Sequence, residues 1–473
     1  LKGGPAKAAV LSSGMTGLIS GSSIANVVTT GTFTVPLMRK VGFSREKAGA
    51  VEVASSVNGQ IMPPVMGAAA FLMVEYVAIP YMEVIRHAMI PAVISYIALL
   101  YIVHLEAIKK DMKTIPKKGQ SSLQESLLRA GIIITSIIIF SGICYHILNF
   151  IKQTFPNNAI LLSGILIFAV YTYLISIKAK YPELLDDPDE EMTELPEVGP
   201  TVKTGLHFLL PIAVLIWCLM VERLSPGLSA FWATIAMIFV TLTQNIMVSF
   251  FHKELDYKNK FKTSCNNLIE GLVAGAKNMA AIGVATAAAG IIVGVVTQTG
   301  VGAKMTELVT VIARDSNLLM LVFTALICLI LGMGLPTTAN YIVVSSLMAT
   351  VIVEFGRQHG LIVPLIAVHF FVFYFGIMAD VTPPVGLASF AAAAISAGDP
   401  IKTSIHAFSY SIRTMILPFI FIYDTELLLI GVNTIPHAIW IFVKSTIAIL
   451  IFTSATQSYL LVKNKLHENI LFL

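Results

Sequence analysis

FFVFYFGIMADVTPPVGLASFAAAA (Phe370–Ala394) is an apolar run long enough to lie within a bilayer, interrupted at its middle by an acid, a threonine and two adjacent prolines. Proline lacks the backbone donor that a helix interior needs and clashes with the preceding turn, so the run is predicted to break there. Backbone groups freed inside hydrocarbon cost several kcal/mol each, and such a break survives only when buried in protein or facing a watery cavity. The same device recurs far upstream as QIMPPVMG (Gln60–Gly67). A recurring break is a designed feature, and it sets the question of what the two breaks hold.

Composition supplies the medium. Apolar residues make up 56% of the 473 and charged residues 12%, against roughly 25% charged in soluble domains. With a mean hydropathy of +0.82 and repeated unalternating runs near the ~20 residues that cross a bilayer, the chain is read as an all-α polytopic membrane protein. The excess of 31 basic over 27 acidic residues is too small to point to nucleic acid. Cys144, Cys218, Cys265 and Cys328 show no C-x-x-C pairing and are read as packing residues. The chain opens at Leu1 within a Gly/Ala-rich stretch and without a signal peptide, so the sequence is read as a fragment lacking an upstream part.

Spans are predicted at 89–106, 130–150, 158–177, 205–222, 227–250, 271–298, 408–430 and 436–460, with two interrupted regions at 6–78 and 317–397. Basic connections (Arg39, Lys40, Arg45, Lys47; Lys109, Lys110, Lys113, Lys117, Lys118; Lys178, Lys180; Lys253, Lys258, Lys260, Lys262; Lys463, Lys465) alternate with cation-poor ones, and the basic set is placed in the cytoplasm. The alternation is consistent only if 6–38 enters and leaves on the cytoplasmic side and 317–355 on the other. Both are therefore expected to be re-entrant hairpins of opposite orientation, with arms of about 15 residues. The acidic linker YPELLDDPDEEMTELPEVGP (181–200) is read as a solvated loop, because its carboxylates sit beside helix-breaking prolines.

The two interrupted regions form an internal repeat. SGSSIAN (Ser20–Asn26) precedes Pro63-Pro64-Val65, and GLPTTAN (Gly334–Asn340) precedes Pro383-Pro384-Val385. Each copy continues with a small-residue helix, a Pro-started segment (Pro80, Pro400) and a span carrying another proline (Pro91, Pro418). Paired, Gly/Pro-interrupted segments in corresponding halves point to a transporter's midplane binding site. Half-helix C-termini offer carbonyl oxygens to a hard cation such as Na⁺, and N-termini offer N–H groups to an anion. Ser20, Ser22, Ser23, Thr337 and Thr338 add hydroxyls; Gly21, Gly59, Gly332, Gly334 and Gly376 allow close approach; Asn26, Asn58 and Asn340 add amides as candidate substrate contacts. Thr382 is predicted to be an N-cap with Pro383 at the first helical position, restarting the broken helix. Asp380 has two readings, an ion-related carboxylate, or a packing residue that caps the following half-helix or pairs with a distant cation. Glu52 and His369 likewise divide between a transport role and satisfied packing, and Lys277 is read as a snorkelling side chain. Neither hairpin tip carries Arg or Lys, so an anionic substrate would lean on helix N-termini, amides and hydroxyls, or on residues upstream.

The blocks SGSSIANVVTTGTFTVPLMRKVGFSREKAGAVEVASSVNGQIMPPVMG and ILGMGLPTTANYIVVSSLMATVIVEFG…ADVTPPVGLASFAAAAISAGDPIKTS resemble the large membrane subunit of TRAP (tripartite ATP-independent periplasmic) transporters. More closely, they resemble fused permeases that work with TAXI-type binding proteins, and the likeness runs from Gly3 to about residue 430. The resemblance implies a Na⁺-driven importer of small organic acids (carboxylates, C4-dicarboxylates among them, or amino acids) in a bacterial or archaeal inner membrane. It implies no enzyme activity and no cofactor beyond Na⁺ as coupling ion. A TAXI-type periplasmic protein would deliver the substrate, small-subunit-like helices would lie upstream, and a hairpin-bearing core would move elevator-like against a scaffold. By the family pattern one Na⁺ site uses Ser20, Gly21, Ser22 and Ser23 with Gly59 and Pro63. The other uses Gly332, Gly334, Thr337 and Thr338 with Asp380, Thr382 and Pro383, and substrate lies between, near Asn26, Asn58, Asn340 and Thr382. Residues 1–106 would hold the first inverted repeat (hairpin 6–38, broken helix 48–78), 107–204 two spans and the linker, 205–430 the second repeat (hairpin 317–355, broken helix 362–397) and 431–473 a last span. Readings kept beside this one are an H⁺-coupled organic-anion transporter, a channel-like pore without a binding protein, and a structural scaffold. An intramembrane enzyme finds no H-E-x-x-H, G-x-S-x-G or paired-Asp motif in the spans.

Overall fold

A computed structural model of the chain describes residues 3–64, 66–112, 142–181, 198–253, 256–314, 316–460 and 462–472, with Leu128 and Thr135. Val65, Lys113, Lys117, Lys118, residues 182–197 of the acidic linker and most of the first half of the expected span 130–150 lie outside the described residues. Apart from one isolated bridge between Tyr459 and Lys463, regular structure among the described residues is helical. Seven of those helices are long and apolar enough to cross a membrane. The all-α polytopic reading therefore holds.

The chain divides into two compact units, Pro116–Lys277 and the remainder. In the smaller one, helices Ala159–Lys178 and Pro226–His252 lie within two residues of the expected spans. Tyr171, Ile175, Val240 and Val248 form their shared core, and the Tyr171 hydroxyl bonds Thr243 at 2.8 Å. The expected span 271–298 is the end of a 43-residue helix, Tyr257–Thr299.

The larger unit contains two sets of the same parts. The first begins with α1 (Gly4–Ser20) and α2 (Ser23–Lys40), packed against each other and joined by two residues. Gly21 takes the left-handed conformation at φ 60°, which glycine adopts without strain, and the Ser22 hydroxyl accepts from the Ala25 N–H to cap α2. Next come α3 (Arg45–Gly59), capped by Ser44, a turn, α4 (Ala68–Val77) and the long α5 (Tyr81–Lys109). The second set follows α6 (Val301–Ala313). It comprises α7 (Asn317–Gly332), α8 (Thr337–Val344) running through a π-helical stretch at Ser345–Ala349 into α9 (Thr350–Gln358), α10 (Leu365–Met378), a turn, α11 (Leu387–Ser396) and α12 (Pro400–Tyr423). A last apolar helix, α13, spans Ile435–Thr456.

Three expectations need correction. The hairpin arms exceed 15 residues: α1 and α2 have 17 and 18, α7 has 16 and Thr337–Gln358 has 22. At 1.5 Å per residue these are about 24–33 Å long, so it is the joints at 21–22 and 333–336, not short arms, that make hairpins. The span expected at 408–430 is Pro400–Tyr423, because the Asp399 carboxylate accepts from the Lys402 N–H at 2.7 Å and starts the helix early. Thr382 does not cap a restarting helix. Its hydroxyl donates backward to the Met378 carbonyl at 2.7 Å, closing the end of α10, and α11 begins only at Leu387. Prolines that lack a donor and set φ suit a turn as well as a first helical position, and here they serve the turn. Both Pro–Pro bonds are cis.

The two breaks are built alike. After α3, Gln60 and Ile61 N–H groups bond back to Val57 and Asn58 carbonyls; after α10, Asp380 and Val381 bond back to Ile377 and Met378. The long helix that follows ties each break in place. Tyr81 donates to the Pro64 carbonyl and Ser404 to the Val381 carbonyl, both at 2.8 Å.

The sets exchange their short half-helices. α11 packs on α2 and α3 of the first set, while α4 packs on α8 and α10 of the second. The register is shared, since Gly49/His369, Pro63/Pro383 and Tyr76/Ser396 are each 320 positions apart. The side chains are not shared. At the α11 contact a Cβ on Gly49 would stand 3.3 Å from Ser396 Oγ. At the α4 contact the Tyr76 ring lies 5.9 Å from Tyr341 and 6.0 Å from His369, whose Nδ1 bonds the Tyr341 hydroxyl at 2.7 Å. His369 is thus a satisfied packing residue of the second interface.

α1 crosses α3 at a pair of glycines. A Cβ on Gly17 or Gly59 would lie 2.6 Å from the other's Cα. Gly59→Ala is expected to destabilise the protein by about 1–3 kcal/mol through overpacking against backbone. Gly164→Ala, where a Cβ meets nothing within 4 Å, should leave the thermal midpoint in detergent unchanged or slightly raised.

Candidate functional site

The hairpin joints and the breaks meet inside the larger unit. On the first side, the Gly21 carbonyl lies 3.5 Å from where a Gly67 Cβ would stand, bringing the α1–α2 joint onto the first break. On the second, a Cβ on Gly332 would stand 2.8 Å from Ala379 Cβ, and one on Gly334 3.9 Å from Val385 Cγ1. Each tip therefore sits on the break of its own set, the pairing that the family resemblance implies.

The two sides are also joined to each other. Ser23, the first residue of α2, donates to Asp380 Oδ2 at 2.6 Å, and both side chains are buried. Gln60, which occupies in the first break the place of Asp380 in the second, lies near that carboxylate, and its buried amide atoms have no hydrogen-bond partner among the described residues. No Lys, Arg or His forms an ion pair with Asp380 among the described residues. Asp380 is thus neither a cap of α11 nor half of a salt bridge. It is an acid held by a hydroxyl from the opposite tip, an arrangement that motif spacing alone does not reveal.

The asparagines complete the picture. Asn26 Nδ2 donates to the Ser13 carbonyl at 2.8 Å, and Asn340 Nδ2 donates to the Gly376 carbonyl at 2.6 Å. These residues hold equivalent places in SGSSIAN and GLPTTAN. In both, the side-chain Oδ1 is buried and accepts nothing from the described residues. A buried amide oxygen left open is an acceptor waiting for a donor or a cation. Asn58 differs. Its Oδ1 accepts from Thr414 at 3.2 Å, and Thr414 bonds Ser95 at 2.7 Å, so it anchors α3 to the long helices. Its Nδ2 is buried and open.

Of the remaining candidates, Ser20 is exposed, Thr337, Thr338 and Pro383 are half-buried, and Pro63 and Thr382 are buried. Reading the sequence missed Arg413, in the unremarkable stretch SYSIRTMILPF of α12. It is 1% exposed; its Nε donates to the Ser95 carbonyl at 3.1 Å, and Nη1 and Nη2 have no partner among the described residues. The core therefore does hold a buried cation, though not at a hairpin tip.

Two paired motifs on equivalent hairpins and breaks are the shape a family comparison can test. The family described as "Tripartite ATP-independent periplasmic transporter, DctM component" matches residues 1–161 and 157–435. The chain belongs to the DctM family of TRAP transporters. A family described as a domain of unknown function (DUF3394) matches residues 438–473, and no curated protein matches the chain. As a DctM component the chain is a multi-pass membrane permease of a secondary transporter, from a family that works with a periplasmic binding protein and a small membrane subunit.

In this DctM chain the Ser23–Asp380 bond is charge-assisted if the carboxylate is ionised, and such bonds contribute about 1.5–3 kcal/mol. A double-mutant cycle of Ser23→Ala and Asp380→Asn, read by thermal unfolding in detergent, is expected to return a coupling energy in that range. Additive losses would show that the bond carries no stability.

Proposed function

We propose that the chain is the permease of a Na⁺-coupled importer of small organic acids in a bacterial or archaeal inner membrane. A single observation supports a site for cation and substrate together: two equivalent asparagines, Asn26 and Asn340, each hold a buried and open amide oxygen near a hairpin tip and a chain break, where bound ion and substrate would meet. Oxygen ligands without nitrogen or sulfur suit a hard monovalent cation. On this reading Ser20, Gly21, Ser22, Ser23, Gly59 and Pro63 line one Na⁺ site. Gly332, Gly334, Thr337, Thr338, Asp380, Thr382 and Pro383 line the other. The Ser23–Asp380 bond then makes the two sites neighbours, so occupancy of one is felt at the other.

The substrate, an organic acid delivered by a TAXI-type soluble protein, would sit between the tips near Asn26, Asn58, Asn340 and Thr382. The Asn58 amide N–H groups offer donors to its carboxylate. The hairpins are taken to be re-entrant and of opposite orientation, which would let the two sets present the same site to either side in turn. An elevator-like movement of the hairpin-bearing core would supply that exchange.

Uptake by the full-length protein in proteoliposomes, with its binding protein present and a Na⁺ gradient imposed, tests the reading. Ser23→Ala and Thr338→Ala should each raise the Na⁺ concentration for half-maximal uptake about tenfold, the effect of losing roughly 1.4 kcal/mol of ion binding. An unchanged Na⁺ response in both variants would remove these residues from the ion sites. A panel of dicarboxylates, keto acids and amino acids in the same assay would name the substrate class.

A further inference from the structure

Glu52 lies in the middle of α3, fully buried, away from the tips and breaks. Its side chain is enclosed by hydroxyls. Ser13 of α1 donates to Oε1 at 2.9 Å, Thr30 of α2 donates to the same oxygen, and Thr34 of α2 donates to Oε2 at 2.5 Å. Ser56, one turn along α3, approaches Oε1 at 3.5 Å and bonds the Ser13 hydroxyl at 2.9 Å.

The hydroxyls have too few hydrogens for their neighbours. Thr30 Oγ1 also meets the Asn26 carbonyl at 2.8 Å, and Thr34 Oγ1 meets the Thr30 carbonyl at 3.0 Å. Each threonine thus stands between a carboxylate oxygen and a backbone carbonyl with a single hydrogen for both. A hydrogen on Oε2 relieves the shortage. Glu52 then donates to Thr34 Oγ1, and the Thr34 hydroxyl turns to the Thr30 carbonyl.

Charge points the same way. No Lys, Arg or His forms an ion pair or hydrogen bond with Glu52 among the described residues. Among the elements packed against α3, α11 has no titratable residue. Lys7 of α1 is engaged with His104, and Arg39 and Lys40 lie at the far end of α2. Tyr96 of α5 is the titratable side chain that faces Glu52, but its hydroxyl donates to the Ser55 carbonyl at 3.0 Å. Lys402, His406 and Tyr410 of α12 lie toward the end of that helix where Lys47 and Glu106 pair, and Arg413 of α12 reaches Tyr96 and Ser95 instead. An ionised carboxylate buried in a membrane core without a counter-charge is costly, whereas a neutral carboxyl in a hydroxyl cage is not.

We propose that Glu52, with Ser13, Thr30, Thr34 and Ser56, is a proton-binding site between α3 and the first hairpin, and that a proton bound there enters with the substrate. The link to the ion sites is structural. Ser13, which bonds Glu52, also accepts from Asn26 Nδ2 at 3.2 Å, and Asn26 carries one of the two open amide oxygens. Proton loss at Glu52 turns the Ser13, Thr30 and Thr34 hydroxyls toward the carboxylate and so changes what holds Asn26. The proton site stands on the cage alone; its part in uptake rests on the importer reading.

Infrared difference spectra between acid and alkaline buffer test the site in the full chain in lipid nanodiscs. A carboxylic-acid carbonyl band is expected that is lost in Glu52→Gln, kept in Asp380→Asn, and shifted in frequency by Thr34→Val, which removes one partner of the carboxyl. The Thr34→Val shift decides the matter if Glu52→Gln does not fold. A band pattern indifferent to both Glu52→Gln and Thr34→Val overturns the proposal. Proteoliposomes containing a pH-sensitive dye test the transport step. Na⁺-driven uptake by the wild type should acidify the lumen, and Glu52→Gln should lower the protons admitted per substrate at least tenfold. Na⁺-driven uptake that leaves lumen pH unchanged overturns proton entry while the importer reading stands. Failure of all Na⁺-driven uptake sinks the importer reading instead, and the infrared band still decides the site.

Discussion

Backbone amides and carbonyls released inside an apolar core must find partners, and four such releases shape the larger unit. Two are hairpin joints and two are proline breaks. Each joint rests on the break of its own set, each break is closed by short turns, and each is tied by a side chain from the next long helix. Once the interruptions are gathered, the polar side chains beside them are gathered too. The site is a consequence of the breaks being satisfied together.

The exchange of short half-helices makes the two sets one core. α11, still packed on α12 of its own set, covers α2 and α3, and α4, still packed on α5, covers α8 and α10. These contacts obey one register but differ in bulk: Gly49 and Ser396 on one side, His369 and Tyr76 on the other. A frame with twofold-like parts thus carries two unlike seams. The small-residue seam lets backbones approach closely, while the aromatic seam fills space with packed rings.

Much of this was legible in the letters. Proline pairs at matched places, glycine- and serine-rich joints and long apolar runs mark hairpins, breaks and spans, because each acts locally on the backbone. What was hidden depends on which side chain reaches which partner across the fold. Thr382 has one preference for capping forward and another for bonding back to its own helix, and only the position of the next helix decides between them. Ser23 and Asp380 are separated by almost the whole chain, so no periodicity connects them. Arg413 sits in a stretch that hydropathy treats as an ordinary span, and its burial follows from the packing of α5 against α12. Glu52 was visible as an oddity, but its cage draws on three helices whose mutual rotation no pattern specifies.

The Ser23–Asp380 bond spans 357 residues. A ribosome adding about 5–20 residues per second needs roughly 20–70 s to travel that far. For that interval the nascent first hairpin sits in the bilayer without its acidic partner, and without α11 to cover it. The half-made protein is then an incomplete and sticky client for whatever insertion machinery or quality-control protease attends it. Delivery of the second half is the event that ends this exposure.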